Sequence, residues 1–99
     1  YSALILGKEE NIMNYKKTDK MDYILSDETS LAVFDPESNN TYFFDETGID
    51  ILNCLDIPCD IEMLLDMLCN IYSASPEDIR ADVEEFLADT VTKGIVEIV

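Results

Sequence analysis

The strongest constraint on the fold is a set of apolar residues in the second half of the chain that recurs with helical spacing. They stand three or four positions apart or adjacent to one another: Ile61, Leu64, Leu65, Leu68, Ile71 and Tyr72. This spacing places them on one face of an α-helix. Pro58 interrupts the preceding pattern, and Asp60 can accept hydrogen bonds from the free amides of a helix start. The sequence therefore predicts an amphipathic helix that packs one face on a core.

Two further helices are predicted on either side of this one. Before it, Asp45 is a candidate N-cap for a short helix with an apolar stripe made of Ile49, Ile51, Leu52 and Leu55. After it, Ser75 and Pro76 form a helix start with a capping hydroxyl and a proline in the first position. Gly94 suits the left-handed cap at the end of that third helix, and residues 95–99 are then expected to form a strand.

The first half of the chain has the composition of short strands separated by turns. Residues 21–26, 30–34 and 41–44 are rich in aliphatic and aromatic side chains. Residues 35–40 concentrate proline, aspartate and asparagine, which favour tight turns. We therefore expect an α+β domain of winged-helix-like order, with an N-terminal three-stranded antiparallel sheet followed by three helices and a short C-terminal strand.

Residues 1–20 differ from the rest of the chain in their sequence pattern. They are interpreted as an N-terminal extension and linker to a domain at residues 21–99. Residues 2–6 are strand-like, whereas residues 14–20 hold three lysines and no periodic apolar face, as expected of a solvated linker. The extension is interpreted as a fused peptide, the tail of an enzyme domain or a native extension. We hypothesise that residues 2–6 add as a strand to this domain or, by swapping, to a second copy, against an ordinary extra strand or a frayed end.

The net charge and the numbers of histidines and cysteines limit the classes of function that are expected. Acidic residues outnumber basic ones 22 to 6, for a net charge of -16, so nucleic acid and anionic membranes are not expected partners. The chain has no histidine, and its three cysteines match no zinc or disulfide spacing. We therefore expect reduced thiols, a cytoplasmic location, no cofactor, no metal and no catalysis.

One acidic pattern resembles a calcium-binding loop and requires a separate argument. Asp35, Glu37, Asn39, Thr41 and Glu46 fall at positions 1, 3, 5, 7 and 12 of an EF-hand register. Asparagine replaces the required glycine at the sixth position, and no helix pattern precedes the loop. The residues are therefore interpreted as a hairpin turn.

Several passages of the chain, in their order and spacing, resemble the PqqD-like family from residue 22 to residue 99. The passages are Phe34-Asp35-Pro36-Glu37, Tyr42-Phe43-Phe44-Asp45-Glu46-Thr47-Gly48, Asp82-Val83-Glu84-Glu85-Phe86-Leu87 and Lys93-Gly94-Ile95-Val96. Members of this family are leader-peptide recognition domains of systems that modify ribosomally made peptides. The resemblance implies that a precursor peptide lays its leader along the third strand, in a groove against the third helix, for a separate modifying enzyme such as a radical SAM enzyme, peptidase or cyclase.

The residues themselves are compatible with that implied role. A strand at a sheet edge leaves backbone donors and acceptors unpaired, so an extended peptide can add to it. Strand alternation places Tyr42 and Phe44 on the face opposite to Thr41 and Phe43, and Arg80 with Glu84 is expected to form a charged rim. The peptide-binding residues implied by the resemblance are Thr41, Tyr42, Phe43, Phe44, Asp45, Arg80, Val83, Glu84, Phe86 and Leu87. With this role, the fused-peptide interpretation of residues 1–12 becomes that of a fused leader peptide, whose residues 2–6 are hypothesised to occupy the leader groove as the added strand, in the same molecule or by swapping in a second copy.

Two other interpretations remain open at this level. In the first, the aromatic and aliphatic side chains just named serve only the core, as most such residues do. The domain could also dock on a basic partner through its acidic helices, without any peptide at the strand edge. Charge-driven docking weakens steeply with ionic strength, whereas strand addition does not, so salt dependence separates the two functions.

Overall fold

The computed structural model describes residues 13–99 of the chain. Its elements in chain order are β1 (Tyr15–Lys17), β2 (Asp22–Asp27), β3 (Ser30–Asp35), β4 (Asn40–Phe44), α1 (Glu46–Cys54), α2 (Ile61–Tyr72), α3 (Pro76–Lys93) and β5 (Val96–Ile98). This order confirms the predicted α+β class, with antiparallel strands before three helices and a short strand at the end. The hypothesis about residues 2–6 lies outside the described residues.

Strands β2, β3 and β4 form a three-stranded antiparallel sheet in that order. The turn between β3 and β4 is held by the Asp35 carboxylate, which accepts hydrogen bonds from the Glu37 amide and the Ser38 hydroxyl, both at 2.9 Å. Asn39 has a φ of 62°, in the left-handed region that asparagine tolerates better than most residues. The turn chemistry predicted for residues 35–40 is therefore confirmed, and the Asp35 carboxylate serves the hairpin.

The helix starts agree with the sequence in two of three cases. Asp45 accepts a hydrogen bond from the Gly48 amide at 3.0 Å, and Asp60 accepts one from the Met63 amide at 2.8 Å. The capping hydroxyl predicted at Ser75 was wrong, because that side chain makes no cap hydrogen bond. Its backbone carbonyl instead accepts from the amide of Asp78, three residues on, at 3.1 Å. Proline in the first turn removes one donor that a cap would otherwise satisfy.

The solvated linker expected at residues 14–20 is replaced by strand β1, which pairs antiparallel with β5 in a separate two-stranded sheet. The same segment continues along the connection between α1 and α2: the Tyr15 amide donates to the Cys59 carbonyl and the Lys17 amide to the Leu55 carbonyl, each at 2.8 Å. Thr18 is buried, and its amide donates to the Ile95 carbonyl at 2.9 Å. Strand β1 is only three residues long and two of them are lysines, so it has no apolar alternation from which a strand could be predicted.

The core lies between the helices and the inner faces of both sheets. Its fully buried side chains include Leu52, Leu55, Leu64, Leu65, Ile95, Val33, Val96, Thr90 and Cys59. The Cys59 thiol donates to the Cys54 carbonyl at 3.4 Å, and burial raises the pKa of both thiols, which favours their protonated, unreactive form. Within residues 13–99, no helix has the length and apolarity needed to cross a membrane.

Candidate functional site

The outer edge of β4 is an open backbone surface next to a concave region. Strand β4 pairs with β3 on one side, and in residues 13–99 no strand pairs with its other side. The C-terminal strand β5 does not cover this edge, because it pairs with β1. An edge of this kind presents unpaired N–H and C=O groups to which another extended chain can bind.

A groove of about 1000 Å³ lies beside this edge, between β4, the start of α1 and one face of α3. Its apolar wall is contributed by three helices and β4: Phe43, Phe44, Ile51, Leu68, Tyr72, Ile79, Val83 and Phe86. The rings of Phe44 and Phe86 meet edge to face, with centroids 5.7 Å apart and planes at 61°. This contact joins the strand to the helix across the floor of the groove.

The charged side chains around the groove are mostly acidic. They are Asp45, Asp82, Glu85, Asp89 and Lys93. The Lys93 ammonium lies 2.7 Å from an Asp89 carboxylate oxygen and 5.1 Å from the centre of the Tyr42 ring. The one cation of this group is therefore engaged by the protein itself, and the rim keeps an excess of negative charge.

Close packing beneath the groove depends on Gly48 in the first turns of α1. A Cβ atom at this position would lie 3.0 Å from both Cβ and Cδ1 of Phe44, a tighter contact than most real Cβ atoms make, so Phe44 would have to shift by a few tenths of an ångström. The glycine therefore lets α1 pass directly against Phe44. Nearby, the Tyr72 hydroxyl donates to the Asp50 carboxylate, and this hydrogen bond raises the pKa of Tyr72. Together these contacts fix the end of the groove where α1 and α2 meet.

Five of the residues predicted for the site line this groove: Phe43, Phe44, Asp45, Val83 and Phe86. Thr41 and Tyr42 lie on the same strand, with Thr41 exposed and Tyr42 half-buried against the core. The predicted alternation along β4 is confirmed, because Phe43 is 79% exposed while Tyr42 and Phe44 point inward.

The other three predicted residues do not lie at the groove. The Arg80 guanidinium donates to Glu62 on α2 and lies 3.6 Å from Glu84, and Leu87 is buried. Glu84 and Leu87 line a second, smaller concavity of about 320 Å³. At about 100° per residue, positions 80, 84 and 87 occupy one side of α3 while positions 79, 82, 86 and 93 occupy the opposite side. The charged rim expected from Arg80 and Glu84 was therefore misplaced by half a turn of helix.

Several groove residues were not predicted, although the sequence contained a signal for some of them. Ile79, Asp82, Glu85, Asp89 and Lys93 all fall on the groove side of α3. Projecting α3 around Phe86 at helical spacing would have identified Ile79, Asp82, Asp89 and Lys93, which lie within about 60° of it, whereas Glu85 lies about 100° away at the border of this side. Leu68 and Tyr72 come from α2, and only the packing of α2 against α3 brings them to the groove.

Fold and site together define a small α+β domain with an apolar groove beside a free strand edge. Residues 30–96 match the family described as coenzyme PQQ synthesis protein D (PqqD), and because this match spans most of the chain, the protein belongs to the PqqD family. The resemblance noted from the sequence is thereby confirmed. No curated protein matches the chain.

A solved structure shares this fold. It is described as TbiB1 in complex with the TbiA(beta) leader peptide, and the two chains superpose with a TM-score of 0.72 at 21% sequence identity. The match covers 83% of this chain and 94% of the other. The arrangement of strands and helices described above therefore also occurs in a solved protein structure.

Proposed function

We propose that this domain captures the leader of a ribosomally made precursor peptide by adding it as a strand to the free edge of β4. The observation that carries the proposal is the position of this edge directly beside the apolar groove of α3. The peptide backbone pairs with β4, and every second side chain enters the groove. The shared fold with TbiB1, a protein that holds a leader peptide, supports this role, as does membership of the PqqD family.

Within this proposal the residues have different tasks. Thr41, Tyr42 and Phe43 contribute their backbone, whose pairing does not depend on particular side chains. Phe44 and Phe86 contribute the apolar floor. Leu87 supports α3 from the core, and Arg80 joins α3 to α2 through Glu62, so neither contacts the peptide.

The domain serves as a binding partner, and a separate enzyme carries out the chemistry. A radical SAM enzyme, a peptidase or a cyclase would act on the part of the precursor that follows the bound leader. Holding the leader close to such an enzyme raises the effective concentration of the modified segment at its active site. The proposed site of action is the cytoplasm, where both the precursor and its enzyme are made.

The test is a titration of the isotopically labelled chain with synthetic leader peptides encoded by short reading frames beside its gene. We expect new protection of β4 backbone amides against hydrogen exchange when a peptide binds. Phe86→Ala should weaken binding about tenfold or more, because it removes an aromatic wall of the groove. Ile71→Ala is the matched control, since Ile71 is an exposed apolar residue outside the groove. Binding that leaves β4 unprotected would contradict strand addition.

The net charge of -16 favours a second candidate, docking on a basic partner without strand addition. The expectation from the sequence that salt dependence separates the two functions needs correction: because the rim of the groove is itself acidic, both modes are expected to weaken with salt. Protection of β4 amides separates them: a partner held by surface charges alone leaves the exchange of this edge unchanged.

A further inference from the structure

The acidic side of the groove has carboxylates that the protein does not neutralise. Asp82 and Glu85 are exposed on α3, and in the part of the chain that the structure describes neither lies within ion-pair distance of a lysine or arginine. Asp89 differs from them because Lys93 pairs with it at 2.7 Å. Asp45 differs as well, since its carboxylate caps α1 through the Gly48 amide. The unpaired negative charge is thus concentrated at Asp82 and Glu85.

This charge is distributed unevenly along the groove. Lys93 lies over Tyr42 and pairs with Asp89. At the end of the groove near the middle of β4, the negative charge of Asp89 is therefore neutralised. Phe86 contacts Phe44, one residue before Asp45 at the end of the strand. Asp82 lies one helical turn from Phe86, on the side away from Lys93. The acidic end of the groove is therefore the end at which β4 passes into α1.

We propose that the peptide recognised by this groove is a basic one, with large apolar side chains at alternate positions and a lysine or arginine placed beside Asp82 and Glu85. The inference rests on the proposed function of the groove and specifies its substrate class. The aromatic floor selects the apolar side chains, and the unpaired carboxylates attract a cation and repel an acidic residue in the same place.

Charge complementarity must be separated from the general attraction of a chain with net charge -16 for any cation. Two pairs of substitutions do this, because each removes two negative charges. Asp82→Asn with Glu85→Gln changes the groove, whereas Asp66→Asn with Glu77→Gln changes exposed positions that do not line it. Both pairs alter the net charge equally, so a difference between them measures the local effect.

The experiment begins with selection of a random-sequence peptide library, displayed on phage, against the full chain at physiological ionic strength. Groove binders are those whose capture is lost with Phe86→Ala. We expect these peptides to be enriched in lysine or arginine next to an alternating apolar core. The most enriched peptide is then synthesised and titrated against both charge-neutralised chains.

The groove pair should weaken binding of that peptide roughly 3- to 10-fold, as expected for two exposed charge contacts, and the control pair should change it by less than about twofold. Replacing the basic residue of the peptide with serine should abolish the difference between the two chains. Equal weakening by both pairs, or groove binders without basic residues, would overturn the inference while leaving peptide binding by the groove intact. Failure to recover any binder sensitive to Phe86→Ala would count against the proposed function itself.

Discussion

Phe44 shows how a single residue links the core to the groove. Its ring packs edge to face on Phe86 of α3, and its Cβ atom lies against the backbone of Gly48 in α1. The side chain is therefore fixed by two helices before any ligand arrives. A floor that is already ordered costs less conformational entropy when a peptide binds. We expect the groove to be largely preformed in the free protein.

Tyr23 is the residue with the clearest dependence on pH. Its hydroxyl donates to the Thr18 carbonyl at 2.6 Å, which anchors β2 to the segment that follows β1. Burial, together with the negative charges of Asp19 and Asp56, raises the pKa of Tyr23 to about 12 from its ordinary value of 10.0. The folded protein therefore holds this proton more tightly than the unfolded chain does.

The sign of the resulting stability change follows from linkage. Below pH 10 both states keep the proton and the contribution of Tyr23 is fully present; as the pH rises from 10 to 12, the unfolded chain loses its proton first and the contribution is lost. We predict that Tyr23→Phe lowers stability at pH 8 and that the difference between the two proteins shrinks across this window. Urea unfolding at a series of pH values measures it. A difference that stays constant up to pH 12 would show that the hydroxyl has no raised pKa.

At the scale of elements, the features that sequence could predict are those carried by side-chain periodicity and caps. Helix α2 was predicted at its observed position because its apolar stripe is regular and Asp60 begins it. Strand β1 was missed because its three residues include two lysines and show no apolar alternation. The two sides of α3 were not distinguished because Val83 and Leu87, both buried, lie only about 40° apart around the helix, yet Val83 lines the groove and Leu87 lines the smaller concavity.

Helix α2 begins with a side-chain cap at Asp60, whereas α3 begins at Ser75 without one, and alanine variants of the two residues test this difference. Asp60→Ala removes the carboxylate that accepts from the Met63 amide, so we expect it to lower the free energy of unfolding by about 1 kcal/mol. Ser75→Ala removes a hydroxyl that caps nothing, and we expect less than about 0.5 kcal/mol. Chemical denaturation of both variants measures the difference. Equal losses would mean that Ser75 caps α3 in solution.

At the scale of the whole molecule, the site could be predicted only in part. The edge position of β4 follows from the order of two hairpins, which the sequence indicated. The acidic end of the groove depends on which side of α3 faces β4, and this is set by tertiary packing of α3 against α2 and the sheet. Asp82 and Leu68 belong to different helices and line the same groove only in the folded chain.

The position of β1 bears on the hypothesis that residues 2–6 occupy the peptide groove. Met13 and Tyr15 line the smaller concavity with Leu87 and Val91, on the side of α3 opposite to the groove. The chain from residue 6 to residue 13 reaches at most about 23–25 Å when fully extended. A helix with its side chains is about 10–12 Å across, so this length suffices to pass around α3 within one molecule.

The hypothesis predicts that deleting residues 1–12 strengthens binding of an added leader peptide, because the deletion removes an internal competitor for the groove. A synthetic peptide of residues 1–12, titrated into the shortened chain, should restore hydrogen-exchange protection to β4 amides and compete with the leader. If the segment swaps between molecules instead, the full chain dimerises with rising concentration and the shortened chain does not, which sedimentation measures. No binding of the peptide, with unchanged stability of the shortened chain, would contradict both arrangements, since a segment that occupies the groove must contribute binding energy there.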